Sequence, residues 1–361
     1  PHGAAFFCYN AMPGWGVQLP LQWLMSRYAQ RHQESPEAMG LAFGEMEKLM
    51  DLQASYWSAN PEVQSRMAAL KELDPHFFAH EYACEHVTPF YHAEFAAEMA
   101  QRRLRYVGSG LRISNYPHLL LNQQQCAHLD SQPEALRETL KDFFLNQLVR
   151  RDVYSRGGVV LPPVKVTERL NQLRFVLGVP KDHVRFDVQA PLYEGRVSLN
   201  GELVAPVVDA LAELGPVTPR ALVERTGLNL GKVHNALMGL WVTHQVQVAP
   251  ATDADAVTTS MLNFVLAMGG LTGKPTDQLV SPVCRAGVDL PWPEQLMAVQ
   301  YNLQGKEKMG EVVAMLLKQF GKPLTEGGDP AAEQAALAAK LENFEGHWAP
   351  LLRQWGIIVA D

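Results

Sequence analysis

The stretch GAAFFCYNAMPGW at residues 3–15 constrains this chain more than any other. Gly3 to Cys8 is a nearly continuous apolar run, Tyr9 and Asn10 end it, and Pro13-Gly14 turns the chain. Such a run reads as a strand buried on both faces, as in the interior of a parallel sheet. Parallel neighbours are reached only through crossover connections of a dozen or more residues. Two residues precede the run, so its sheet is expected to draw strands from further along the chain and from residues outside this sequence.

Beyond the Pro13-Gly14 turn the pattern becomes helical. Val17, Leu21, Leu24 and Tyr28 recur at helical spacing, Pro36 opens a second helix at a first-turn position, and Asn60 is the expected N-cap of a third. Residues 16–75 therefore read as a helical insertion. A helix over about 91–103 leads into the strand LRYVGSG at 104–110, which makes a βαβ-like unit with a long excursion inside it. Residues 136–157 read as an amphipathic helix running into a strand. The segments 153–160, 173–179 and 183–190 suggest a small antiparallel sheet. Residues 203–248 give helix, short helix, glycine-marked turn, third helix and strand, the order of a winged helix-turn-helix. Further helices are expected over 258–268, 291–303, 306–320 and 331–355, with the clearest loop at 324–334.

Composition excludes some functions. The net charge of −7 gives no global attraction to nucleic acid or anionic membrane. Residues 196–250 carry four Lys/Arg and four Asp/Glu, and the candidate recognition helix 229–242 has only Lys232 and His234 as basic groups. DNA binding needs more cations than that. No apolar run reaches the roughly 18–20 residues that span a bilayer, and no basic leader with an apolar core is visible. The four scattered cysteines, Cys8, Cys84, Cys126 and Cys284, fit a reducing cytoplasm rather than a disulfide scaffold.

Four stretches carry a resemblance: HGAAFFCYNAMPGW at the start, FFAHEYACEHVTPFYHAEFAAEMAQRRLRYVGSG at 77–110, VRRDVYSRG at 149–157 and LVSPVCRAGVDLP at 279–291. Together they resemble the C-terminal part of class I S-adenosylmethionine-dependent methyltransferases with a methyltransferase regulatory domain, and are similar to the outer-membrane-protein lysine methyltransferases. The resemblance implies an α/β and mostly α fold. Residues 1–113 would be the second half of a Rossmann-like methyltransferase sheet with its insertion at 16–75. Next would come a middle α+β region over 114–195 and a winged-helix-like, helix-rich regulatory or recognition domain over 196–361. The resemblance also implies that the glycine-rich cofactor loop lies upstream of the first strand. No G-x-G-x-x-G-like strand–loop–helix occurs in the sequence, and GLTGKPT at 270–276 lacks phosphate-loop spacing. S-adenosylmethionine is thus expected to be held mainly by residues outside this chain, which alone is expected to be inactive.

Tyr9 and Asn10 stand at the carboxyl edge of their strand, where open α/β sheets bind ligands. Methyl transfer from a sulfonium needs in-line positioning of a deprotonated amine. A Tyr hydroxyl or Asn carbonyl there could orient that amine, or the pair could simply cap the strand. Trp15 is either pocket wall or anchor of the insertion. The stretch around His80, Glu81, Tyr82, Phe90, Tyr91 and His92 can fold over the sheet edge as an aromatic lid, with His80 or Glu81 taking the proton of a lysine ammonium. Hydrogen bonds from these histidines to backbone are the competing reading. A metal site is not expected, because Thr88-Pro89 breaks the helical phase that would converge the ligands. Arg150, Arg151 and Arg156 read as complements to a helix dipole.

The expected function is the C-terminal portion of a methyltransferase acting on a protein side chain, lysine favoured. A homodimer through the helical insertion is expected, with neither nucleic acid nor membrane insertion. The alternative is a catalytically inert protein-interaction or dimerisation module.

Overall fold

A computed structural model describes residues 3–30, 35–71, 82–84, 86–189, 196–325 and 329–359. They belong to two compact units, Pro1–Val159 and Val160–Asp361.

The first unit is built on three strands: β1 (Gly3–Asn10), β2 (Leu104–Ser109) and β3 (Val149–Arg156), in the order β1-β3-β2. Both outer strands are antiparallel to β3. They therefore run parallel to each other, joined through helix α5 (His92–Gln101), as the βαβ-like reading expected. Two expectations for β1 are corrected. Its direct partner is antiparallel. And β1 is covered on one face only: Phe7 and Tyr9 turn towards Phe95 of α5, while Phe6 on the other face is 61% exposed. A run without alternation reports neither the direction of its partner nor which face is covered. The third strand is also re-assigned: it pairs with β1 and β2, not with 173–179 or 183–190.

Between β1 and α5 lie helices α1 (Leu19–Ala29), α2 (Ser35–Asp51), α3 (Ser55–Ala59) and α4 (Pro61–Lys71). They enclose a core of Trp15, Leu21, Met25, Met39, Met46, Trp57, Val63, Met67 and Tyr82. Methionine's unbranched chain fills the irregular gaps between short helices. The Asn60 side chain donates to Tyr56 O at the end of α3. The turn into this insertion depends on Gly14: a Cβ there would lie 2.5 Å from the carbonyl oxygens of Asn146 and Gln147. Helices α6 (Gln123–Asp130) and α7 (Glu134–Leu145) come after β2. Asn146, left-handed at φ 45°, ends α7 and releases the chain into β3.

The second unit pairs β4 (Arg174–Leu177) with β7 (Val246–Ala249). Two small hairpin pairs, β5 (Asp187–Gln189) with β6 (Arg196–Ser198) and β8 (Gln278–Ser281) with β9 (Ala286–Asp289), accompany them. Helix α8 (Pro163–Leu170) precedes β4. Helices α9 (Gly201–Leu214), α10 (Pro219–Thr226) and α11 (Leu230–Val242) lead into β7. Asn200, Thr218 and Asn229 cap them, and Gly227 ends α10 at φ 71°. α11 buries Val233, Ala236, Leu237 and Leu240. Helices α12 (Ala256–Leu271), α13 (Trp292–Gln304), α14 (Lys306–Gln319), α15 (Pro330–Asn343) and α16 (Ala349–Gln354) complete the unit. A π turn over Phe344–Trp348 divides the single helix expected over 331–355. Trp355 is fully buried, and its indole donates to Leu177 O in β4.

Candidate functional site

The carboxyl end of β1 is bracketed by two segments. Asn10 O accepts the Phe90 amide at 3.0 Å, and Phe90 O accepts the Met12 amide at 3.0 Å. From the other side, Leu148 O accepts the Ala11 amide at 2.8 Å. Residues 86–91 thus run alongside the strand end before α5 begins. Tyr9 stacks on Phe95 with ring centroids 4.2 Å apart. Tyr91 lies parallel to Phe143 of α7 at 6.0 Å and 7°, with Phe143 half exposed.

Beneath this edge lies a buried ion cluster centred on Arg150, which faces Tyr9 in the β1–β3 register. Its guanidinium donates to Asp152 Oδ2 at 2.9 Å, Asp142 Oδ1 at 2.6 Å, Glu138 Oε2 at 2.7 Å and the Tyr106 hydroxyl at 3.2 Å. The Tyr9 hydroxyl donates to Asp152 Oδ2 at 2.7 Å. Lys141 Nζ donates to both Glu138 oxygens at 2.7 Å and to Ser114 O at 2.9 Å. His92, 5% exposed, packs its ring edge against Tyr106. Its Nε2 is 3.9 Å from Asp152 Oδ2, beyond hydrogen-bond reach. Among the described residues neither ring nitrogen of His92 has a hydrogen-bond partner.

Three carboxylates share two cations here, so one negative charge is in surplus. It falls on Asp142, whose carboxyl burial pushes up to about 7 against the opposing pull of Arg150 and Lys141. Burial also works against ionisation of Glu138, but Lys141 and Arg150 outweigh it and hold that carboxyl down at about 2. Burial, helped by Arg150, pulls His92 down to about 4, so its imidazole is neutral. Burial first, then the Asp152 charge, raises the Tyr9 phenol, and its proton stays on oxygen. Tyr9 is therefore a donor locked into the cluster. It is not poised to accept a substrate proton.

The structure divides the residues singled out from sequence. Tyr9 and His92 meet at the ion cluster, with Phe90 edge-on to the Tyr9 ring and Asn10 and Tyr91 beside them at the strand end. Trp15 and Tyr82 belong instead to the helical core, both fully buried, with ring centroids 6.0 Å apart. Arg66 lies over the Trp15 ring and donates to the Tyr82 hydroxyl at 3.0 Å. His80 and Glu81 lie outside the described residues. The helix-dipole reading of the arginines is corrected. All three lie in β3, past the end of α7 at Asn146, and Arg150 is buried against the carboxylates it bonds. Sequence reasoning missed Glu138, Lys141, Asp142 and Asp152. The available signals were the i, i+3 and i+4 spacing on α7 and the alternation of Arg150, Asp152 and Tyr154 in β3. Among the described residues no group of three or more His, Cys, Asp or Glu is arranged to hold a metal ion. No described helix is long and apolar enough to cross a membrane.

Comparison with known proteins places this geometry. Residues 74–156, from before α5 to the last residue of β3, match the family model described as a predicted methyltransferase regulatory domain. That segment carries Glu138, Lys141, Asp142, Arg150 and Asp152. The chain is 29% identical to the uncharacterized protein sll1526 of Synechocystis over 98% of its own length and 72% of that protein's. The structure of PKMT2 from Rickettsia typhi in complex with AdoHcy superposes with a TM-score of 0.64 at 14% identity. That likeness covers 99% of this chain and 75% of PKMT2. A second PKMT2 structure gives 0.60 at 14% identity over 95% and 73%. The chain thus has a methyltransferase-like fold, shared with PKMT2 along almost its whole length and holding the regulatory-domain segment within its first unit.

Proposed function

We propose that this chain is the acceptor-handling part of an S-adenosylmethionine-dependent methyltransferase that modifies a protein side chain, lysine favoured. The observation that carries the reading is the likeness to PKMT2 over 99% of the chain, in a fold whose β1 ends in an aromatic-lined edge. S-adenosylmethionine supplies an electrophilic methyl group. The amine's lone pair forms the new C–N bond as the C–S⁺ bond breaks, leaving a neutral thioether and an ammonium that then sheds a proton. In this reading the described residues position and shield. Asn10, Phe90 and Tyr91 line the acceptor approach. The ion cluster holds Tyr9 and the strand end rigid, which is what in-line displacement requires.

In this reading S-adenosylmethionine is held mainly by residues outside this chain, whose sequence has no G-x-G-x-x-G-like strand–loop–helix. Both sll1526 and PKMT2 exceed the matched part in length. β1 also has a single partner strand among the described residues. We assign the cofactor-binding half to that additional length. The region beyond Val160 would then serve acceptor recognition by protein contact.

The test is methyl transfer by the full-length protein from isotopically labelled S-adenosylmethionine to outer-membrane and lysine-rich acceptor proteins, with the site read by mass spectrometry. Methyl groups on lysine Nζ support the reading. Label on carboxylates alone would replace lysine by another acceptor, and no transfer to any protein would leave the inert interaction module as the better account.

A further inference from the structure

Helices α14 and α15 approach closely near the start of the first and the end of the second. A Cβ at Gly310 would lie 2.9 Å from Leu341 Cδ1. Towards the other end of the pair they flank a cleft of about 620 Å³, a size that small-molecule sites share. Ala314, Leu317, Pro323, Leu324, Pro330 and Leu337 make its apolar lining. Among the described residues no aromatic ring lines it, so the interior suits an alkyl chain rather than a stacked ring.

The charged part of the lining is mainly cationic. Lys318 sits in the last turn of α14, and Lys322 follows Gly321, whose φ of 60° turns the chain back. The Gly321 amide donates to Lys318 O at 3.3 Å and the Lys322 amide to Leu317 O at 2.9 Å. This Schellman turn occupies carbonyls that would otherwise oppose an anion at a helix C-terminus. On the same two helices Lys306 pairs with Glu345 at 3.0 Å, and Lys340 is held by Glu294 at 3.3 Å. Lys318 and Lys322 have no ion-pair partner among the described residues. One carboxylate, Glu333, also lines the cleft, and its oxygens are already engaged. They accept the Leu324 amide at 2.8 Å, the Thr325 amide at 2.7 Å and the Thr325 hydroxyl. Two lysines against one glutamate leave the lining with a single positive charge in excess, which a monoanion balances. Gln334, exposed in the same lining, offers a further amide donor.

We infer that the cleft between α14 and α15 binds a medium-chain fatty carboxylate, its alkyl chain against Leu317, Leu324 and Leu337 and its carboxylate met by the ammonium groups of Lys318 and Lys322. The site lies within the second unit and goes beyond the proposed reaction, on which it does not depend.

Isothermal titration calorimetry on the full-length protein tests it with decanoate below its micelle-forming concentration. The neutral 1-decanol and the cationic decyltrimethylammonium serve as probes of equal chain length. Decanoate is expected to bind with one molecule per chain and more tightly than either probe. The double variant Lys318→Gln/Lys322→Gln is expected to lose about five- to tenfold in decanoate affinity, as two solvent-facing ion pairs supply. Ala314→Trp, at an exposed position of the lining, fills the cleft and is expected to abolish decanoate binding, with circular dichroism checking the fold. No decanoate binding by wild type, binding of the cationic probe as tight as that of decanoate, or an unchanged decanoate affinity in either folded variant overturns the proposal. Should Ala314→Trp misfold, the lysine double variant decides alone.

Discussion

Tyr9 and Arg150 face each other across β1 and β3 and donate to the same atom, Asp152 Oδ2, at 2.7 and 2.9 Å. The strand register and the ion cluster therefore fix each other. A slip of one residue would send Tyr9 to the opposite face and leave Asp152 short of a donor.

Arg150→Met leaves the buried Asp142 and Asp152 and the partly buried Glu138 beside one lysine. We expect a loss of about 3–5 kcal/mol. Tyr9→Phe removes one donor from an oxygen that Arg150 still serves, at a cost of about 1 kcal/mol. Urea denaturation of the two variants and the double variant measures both. Equal losses for the two single variants would contradict the central role of Arg150.

Asp142 makes stability fall as pH rises. Its carboxyl titrates at about 7 in the folded chain and at its ordinary value of 3.8 when unfolded. The folded state therefore binds the extra proton between those values, and the stabilisation is present below 3.8 and lost as pH rises through 7. Asp142→Asn cannot titrate. The stability advantage of wild type over this variant is expected to shrink from about pH 4 to about pH 7 in chemical denaturation, and a flat difference would show that Asp142 is ionised throughout.

His92 pulls the other way. Its folded value of about 4 lies below the ordinary 6.5, so folding costs a proton across that interval and stability rises with pH there. Among the described residues its ring nitrogens have no hydrogen-bond partners to lose. His92→Phe is expected to keep or raise the melting temperature, with the gain largest near about pH 4–5. A strong loss at neutral pH would reveal a polar role for the imidazole.

Gly14→Ala sets a methyl group 2.5 Å from two backbone oxygens, which cannot move aside as a side-chain end could. The turn has to open, at a cost of about 1–3 kcal/mol. Thermal unfolding measures this, and a neutral result would mean that the segment near Asn146 yields easily.

The sequence made the elements more legible than their partnerships. Helical spacing located α1, α2 and α5, and the chain's own punctuation marked the end of β1. Helix order and a glycine-marked turn located α9 to α11. Strand partnership was hidden, because an apolar run such as Gly3–Cys8 is compatible with either direction. At the site, Tyr9 stood out through its place at a strand end, and Phe90 through its place in an aromatic stretch expected to fold over that edge. Glu138, Lys141 and Asp142 did not, since charges spaced along a helix look alike whether they face water or a buried arginine. Only the arrival of β3 beneath α7 distinguishes the two cases.

That arrival comes late in the chain. Gly3 pairs with Arg156 and Leu104 pairs with the same residue, so both outer strands await a partner made long after the first of them. During synthesis, β1 leaves the ribosome with its ladder groups towards β3 open, and the helical insertion is complete before any rung of these three strands can form. A ribosome stalled between Ser109 and Val149 would hold a nascent chain with both outer strands made and the strand that pairs them still missing.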